Sequence, residues 1–304
     1  MASGSKLSDL QARFGVAGAL AFEDTGGLVR AVVATPRAQG DVFLQGAHVA
    51  RYRPTGQQHP VLFVSGRSAF TAGRAIRGGV PMIFPWFGAK ADNPSAPQHG
   101  FARVASFDVE SARQEGGAVT LVLRLDADAS SRQAWPYDFV ARYRVTMGDT
   151  LELAFEVENR SAGPLTYEEA LHTYLTVGDI RKASIEGLAG TTFIDKVDGF
   201  QRKREGSAPI RLGGETDRVY LDTTATCVVD DPVLGRRLIV DKHGSASTVV
   251  WNPWSEKAKG MADFGDDEWP QMVCIETANA ADNAVTLAPG ARHELRATIR
   301  AESR

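Results

Sequence analysis

The sequence predicts an all-β protein, a large antiparallel sandwich, and three observations predict it. Apolar and polar residues alternate with period two through many short runs, the pattern of strands with one face buried. These runs are spread evenly from end to end, with Gly-, Pro- and Asp-rich turns between them. Helical stretches long enough to cover a doubly wound parallel sheet are missing.

In chain order, a short helix is expected near residues 8–15, where Ser8 and Gln11 have capping-box spacing and Leu10 and Phe14 share a helical face. Strand-like runs follow at 28–34 and 42–53. At 119–125, Val119, Leu121, Leu123 and Leu125 alternate with Thr120, Val122 and Arg124. Runs 140–145 and 151–157 flank the turn Met147-Gly148-Asp149, and the second sets Leu151, Leu153, Phe155 and Val157 against Glu152, Glu156 and Glu158. Further strands are expected at 165–177, 227–229, 237–241, 248–251, 272–277 and 292–299. No linker, charge block or fixed-period repeat divides the chain, so residues 1–304 read as a single β-sandwich domain.

The apolar share is 43%, enough for a sizeable core, and the net charge is only −3. A chain so balanced has no overall pull toward nucleic acid or an anionic membrane, and any anion must be held by a local cluster. Cys227 and Cys274 are too few for a disulfide framework and lack metal-ligand spacing, so both read as buried thiols in a reducing compartment. The N-terminus has no apolar signal-peptide core, and the longest apolar stretch is broken by Pro81 and Pro85. A cytoplasmic protein is the expectation.

Motifs for nucleotide binding (GxGxxG, Walker loop), zinc catalysis (HExxH, CxxC) and serine hydrolysis (GxSxG) are missing, so neither cofactor nor metal is expected. Four segments instead set polar groups among aromatics and glycines. In 77–88, RGGVPMIFPWFG, glycines permit close backbone approach, Trp86 or Phe87 could wall a sugar, and Arg77 could face an anion; the alternative is a turn-rich apolar plug. In PQHGFAR, Gln98, His99 and Arg103 offer planar donors and acceptors suited to hydroxyls or phosphate. In EALHTYL, His172 and Tyr174 share a strand face with Ala170, which by itself reads as a half-exposed histidine beside a tyrosine. In MVCIE, Glu276 follows an apolar strand and shares a face with Met272 and Cys274, a setting that raises a carboxyl pKa toward that of a useful base. The acidic run 266–268 reads as a solvated loop near a pocket rim.

Taken together, RGGVPMIFPWFG, PQHGFAR, EALHTYLTVGDI, ETDRVY, VVWNPWSEKAKGMADFGDDEWPQMVCIETAN and the late LAPG turn resemble the hexose-6-phosphate mutarotases (glucose-6-phosphate 1-epimerases) of the galactose-mutarotase-like superfamily. The resemblance spans nearly the whole chain, in order. It implies a β-sandwich of the supersandwich type with the site on its concave face. It also implies that His172 is the acid–base histidine and Glu276 the carboxylate base. Arg77, Gln98, Arg103 and Asp217 match substrate contacts, and His99 a pocket histidine.

Anomer exchange fits these residue types. Opening the ring needs a base for the C1 hydroxyl proton and an acid for the ring oxygen, and a carboxylate and an imidazole can swap those roles near neutral pH. The expected substrate is a small sugar phosphate, with its phosphate on Arg77 and Arg103; no nucleic acid or membrane is involved, and a monomer would suffice. Three readings stay open beside it: a mutarotase for free aldoses such as galactose, a non-catalytic carbohydrate-binding protein, and a glycosidase. The last would need a second carboxylate partner for Glu276.

Overall fold

The computed structural model describes residues 2–304, with side chains from Lys6 onward. Two eight-stranded antiparallel sheets carry the fold. The first runs from Ser184–Glu186 through Cys227–Asp231, Arg236–His243, Arg292–Ser303, Leu151–Asn159, Phe139–Met147 and Ala118–Asp126 to Asp108–Glu115. Its registers explain the alternation in the sequence. Tyr143, Phe155 and Leu295 stand opposite one another and are all buried, as are Val145, Leu153 and Ala297 in the adjacent row. The intervening side chains face outward, where Glu156 meets Arg142 and Arg292 at 3.6 and 3.7 Å and Arg144 meets Glu294 at 3.0 Å.

The second sheet runs from Gln201–Arg204 through Thr192–Asp195, Thr216–Tyr220, Ser247–Asn252, Met272–Asn279 and Glu169–Leu171 to Met82–Ile83, with Tyr174–Thr176 also paired to Met272–Asn279. Every residue of Ser247–Asn252 and of Met272–Asn279 is buried. Both faces of these strands are covered, which is why they read as near-continuous apolar runs rather than alternating ones. One face, through Leu171, Leu175, Val250, Val273 and Ile275, joins the main core between the sheets, which reaches from Leu10 to Ile299. The opposite face carries two smaller apolar clusters. One centres on Tyr174, Trp251, Met272 and Cys274, and the other on Val219, Val249 and Ala278.

A four-stranded antiparallel sheet, Leu20–Asp24, Val29–Ala34, Ala38–Phe43 and His48–Pro54, adjoins this body, so the expected run 42–53 is two strands joined by a turn at Leu44–Ala47. The run 165–177 is likewise three short strands, Leu165–Tyr167, Glu169–Leu171 and Tyr174–Thr176. The helix expected near 8–15 spans Ala2–Phe14. Gln11 lies inside it, and its side-chain oxygen accepts from Phe22 N at 2.8 Å, tying the helix to the first strand rather than capping it. Both cysteines are free and buried. Among the described residues no helix is long and apolar enough to cross a membrane.

Candidate active site

Strand alternation on Met272–Asn279 points Met272, Cys274, Glu276 and Ala278 away from the main core, toward the two smaller clusters. Across the sheet, Asp217, Trp251, Cys274 and Tyr174 form one lateral row. Two residues further along, Val219, Val249 and Glu276 form the next. Glu276 is therefore a carboxylate set in an apolar band. Its partner comes from the interruption between Glu169–Leu171 and Tyr174–Thr176. There His172 N leaves the ladder to donate to Pro81 O at 3.1 Å, and Thr173 O accepts from Ile275 N at 3.1 Å. This break carries the imidazole to Glu276, with Nε2 3.2 Å from Oε1.

The pair is nearly dry. The Glu276 side chain is 1% exposed and that of His172 12%. Burial, and then the charge of Asp217, raise the Glu276 pKa well above the usual carboxylate value. Burial, followed by the neighbouring His99 ring and the Arg77 charge, pushes His172 well below the usual imidazole value. Tyr174 stacks on the imidazole at 4.8 Å between centroids, and Trp251 meets it edge-on at 6.0 Å. The second atoms of the pair, Glu276 Oε2 and His172 Nδ1, are buried with no hydrogen-bond partner among the described residues.

The segment 77–88 is pinned to the core by Phe84, which meets Trp135, Phe139, Phe155 and Tyr167 edge-on with centroids 5.2 to 5.5 Å apart. At its start, Gly78 has φ +115° and passes so near Phe63 that a Cβ would lie 2.4 Å from the Phe63 carbonyl oxygen. That approach sets Arg77 beside the pair. Its Nη1 donates to the Tyr174 hydroxyl at 3.1 Å, and its Nη2 lies 3.1 Å from Asp263 Oδ2. At the far end Phe87 turns toward the site, whereas Trp86 is buried and donates to Pro97 O at 2.9 Å.

His99 adopts φ +64°, a strained conformation for a residue with a Cβ. Two hydrogen bonds hold it there: His99 N donates to Gly88 O at 2.7 Å, and Gly88 N donates to His99 Nδ1 at 3.2 Å. Because Nδ1 accepts, the ring proton sits on Nε2. Burial, and then Arg103, Lys196 and Arg77, lower the His99 pKa to about 3, so the ring is a neutral donor. Arg103 Nη2 donates to Gln98 O at 2.6 Å, and the guanidinium has no carboxylate partner among the described residues. Burial, then the Arg77 charge, disfavour its cation. Asp217 Oδ2 lies 3.0 Å from Lys196 Nζ. A single cavity of about 480 Å³ is lined by Arg77, Gln98, His99, Arg103, His172, Asp217 and Glu276 together, so the structure assembles every site residue expected from the sequence.

This arrangement has known relatives. The aldose 1-epimerase family model matches residues 33–300. The chain belongs to the aldose 1-epimerase family. A candidate glucose-6-phosphate 1-epimerase from Escherichia coli is 36% identical over 251 residues, covering 83% of each chain. One from Cenchrus ciliaris is 33% identical over 261 residues, covering 82% of this chain and 77% of that one. The crystal structure of a candidate mutarotase from Salmonella typhimurium superposes with a TM-score of 0.89 at 31% identity, over 98% of this chain and all of that one. The chain is thus an epimerase with the galactose-mutarotase-like sandwich fold.

Sequence reasoning missed several parts of the epimerase cavity. Lys196 follows the strand Thr192–Asp195 and precedes a Val-Asp-Gly turn, a place where a lysine usually reaches solvent. Lys257 lines the cavity with its ammonium 2.7 Å from Glu215. Asp263, the partner of Arg77, was hidden among the acidic residues that follow it. The run 266–268 is more tied down than a solvated loop: Glu268 accepts from Gly66 N and Gly265 N at 2.8 and 2.9 Å, and Asp266 meets Arg67 at 2.6 Å. One group could in principle hold a metal ion, since donor atoms of His172, Cys274 and Glu276 lie within 4.8 Å of one another. Burial, and then Glu276, push the Cys274 thiol well up, so a cation there would first have to displace the thiol proton.

Proposed function

We propose that this epimerase interconverts the α and β anomers of a hexose 6-phosphate, glucose 6-phosphate foremost, with Glu276 and His172 exchanging protons with the sugar. The observation that carries the reading is the buried His172–Glu276 pair at 3.2 Å, in a cavity that also holds a guanidinium, Arg103, lacking a carboxylate partner among the described residues. A catalytic pair for ring opening and a free cation for a phosphate occupy one pocket. The glucose-6-phosphate 1-epimerase description of the relatives supports the same substrate.

In the forward step the Glu276 carboxylate takes the proton of the C1 hydroxyl while imidazolium His172 protonates the ring oxygen. The bond from C1 to the ring oxygen breaks and leaves the open aldehyde. Glu276 is then a carboxyl and His172 a neutral imidazole, the two forms that burial favours. Desolvation therefore favours the protonation state that accompanies the open chain over the ionised pair from which the step starts. Rotation about C1–C2 presents the other carbonyl face. Imidazole takes the proton back from the ring oxygen, the carboxyl returns one to O1, and the ring closes with the pair restored.

The phosphate has a separate task. Burial and the neighbouring Arg77 charge both disfavour the Arg103 cation, and an anion placed against it relieves both costs. Bound there, the phosphate orients the sugar so that C1 meets the acid–base pair. The test is exchange NMR of the anomers of glucose 6-phosphate and of free glucose. Acceleration of the phosphorylated sugar, lost in Glu276→Gln and His172→Asn, is expected. Equal rates on the two sugars would favour a free-aldose mutarotase, and full rates in both variants would sink the assignment of the pair.

A further inference from the structure

The cavity contains four cationic side chains, and they are not equivalent. Arg77 is neutralised by Asp263, Lys257 by Glu215 and Lys196 by Asp217, while Arg103 has no carboxylate among the described residues. Lys196 differs again from Lys257. The Lys257 side chain is 43% exposed, whereas that of Lys196 is 23% exposed and its Asp217 partner 14%. The backbone fixes this second pair as well, because Lys196 N donates to Asp217 O at 2.9 Å. The Lys196 ammonium also lies 5.3 Å from the centre of the Phe87 ring, a cavity wall.

An ammonium has three N–H donors. Asp217 is its one ion-pair partner among the described residues, and the face of Phe87 supplies attraction without a conventional acceptor. Donor capacity is thus left over, held in a wall that Lys196 and Asp217 both contribute to the cavity. The charges of the two cancel, which makes the pair a poor anchor for a phosphate. It is a good reader of a neutral hydroxyl: the ammonium donates to the hydroxyl oxygen and the carboxylate accepts a hydroxyl proton. We infer that Lys196 is a specificity-determining residue, which with Asp217 reads hydroxyl groups of the sugar ring while Arg103 takes the charged handle. The inference rests on the proposed mutarotase reading and divides the pocket into a hydroxyl-reading wall and a phosphate-binding end.

The experiment is a cycle of side-chain and substrate changes. Anomer exchange is measured by NMR for glucose 6-phosphate and its 2-, 3- and 4-deoxy analogues, with the wild type, Lys196→Met and Lys196→Gln. A hydrogen bond to a charged group predicts that the wild type loses about 10- to 100-fold in kcat/KM on at least one deoxy analogue. Lys196→Met should lose a similar factor on glucose 6-phosphate and little more on that analogue. Lys196→Gln, which retains a donor, should recover part of the loss. The preference for glucose 6-phosphate over glucose should survive in both variants. An equal fractional loss on every analogue would overturn the inference, as a merely structural lysine predicts, and so would collapse of the phosphate preference. If the wild type accelerates no anomer exchange, the mutarotase reading fails instead. The same cycle of dissociation constants, measured calorimetrically, would then support or overturn hydroxyl reading by Lys196 independently.

Discussion

Both eight-stranded sheets place glutamates on a face turned away from the main core, and Glu156 and Glu294 on the first are treated differently from Glu276 on the second. On the first, Glu156 lies between Arg142 and Arg292, and Glu294 faces Arg144, all in contact with solvent. On the second, Glu276 is buried in an apolar band with His172 as its one ion-pair partner, and one oxygen unsatisfied, among the described residues. Exposed pairs at such distances contribute little stability, about 0–1 kcal/mol each, because water already solvates the charges. A buried, under-satisfied carboxylate costs stability and persists where it has a task. The difference, together with the cavity that Glu276 lines, associates this carboxylate with chemistry, and it can be broken by experiment. Glu276→Gln removes the base yet keeps the shape, so anomer exchange should fall by on the order of 10²–10⁴-fold. Its thermal midpoint should hold or rise, since a desolvated ionisable group is gone. Enzyme that retains activity, or unfolds in parallel with its loss of activity, would erase the contrast between the sheets.

The same contrast separates the arginines. Arg144 on the first sheet has its carboxylate and leaves it only at a loss, whereas Arg103 in the cavity has a carbonyl acceptor and no carboxylate among the described residues. Arg103→Ala should therefore raise KM for glucose 6-phosphate about 10- to 100-fold, the worth of a charge-assisted contact, with little change on free glucose. Arg144→Ala should leave both constants alone. Matching losses on the two sugars with Arg103→Ala would mean that the guanidinium supports the pocket wall rather than the phosphate.

The contrast also governs how much could be read from the sequence. The run 151–157 was legible because one face is wet, so Glu152 and Glu156 mark it against Leu153 and Phe155. Glu276 was legible for the opposite reason, a carboxylate intruding on an otherwise apolar strand. The interruption at His172 was not legible, because it is made by a bond to Pro81 O, far away in sequence. Local pattern continues smoothly through 165–177, and only that non-local acceptor breaks the strand and delivers the imidazole. Lys196 was invisible on similar grounds. Its burial depends on Asp217 and Phe87, and nothing adjacent to it in sequence distinguishes it from a solvated turn lysine. Residues marked by their own strand can be found from sequence, whereas residues marked by a partner strand need the fold.

Stability against pH offers the smallest effects and the finest test of the difference between dry and wet groups. His48 is fully buried beneath the glycines at 78–79, its Nε2 has no partner among the described residues, and burial lowers its pKa to about 3. Between the ordinary imidazole value of 6.5 and about 3 the unfolded chain binds a proton there that the folded chain refuses. The unfolded state then holds more protons, so stability falls as the pH drops through that window and is unaffected by this group above it. The slope is up to ~1.4 kcal/mol per pH unit for one such histidine. Chemical denaturation of His48→Gln at a series of pH values should show a slope shallower by that amount, whatever the variant's stability at pH 7. The wet counterpart, Glu156→Gln, should stay within ~0.5 kcal/mol of wild type near neutral pH. Were the two variants to change the pH dependence equally, the line drawn between the buried and solvated charges of this fold would not hold.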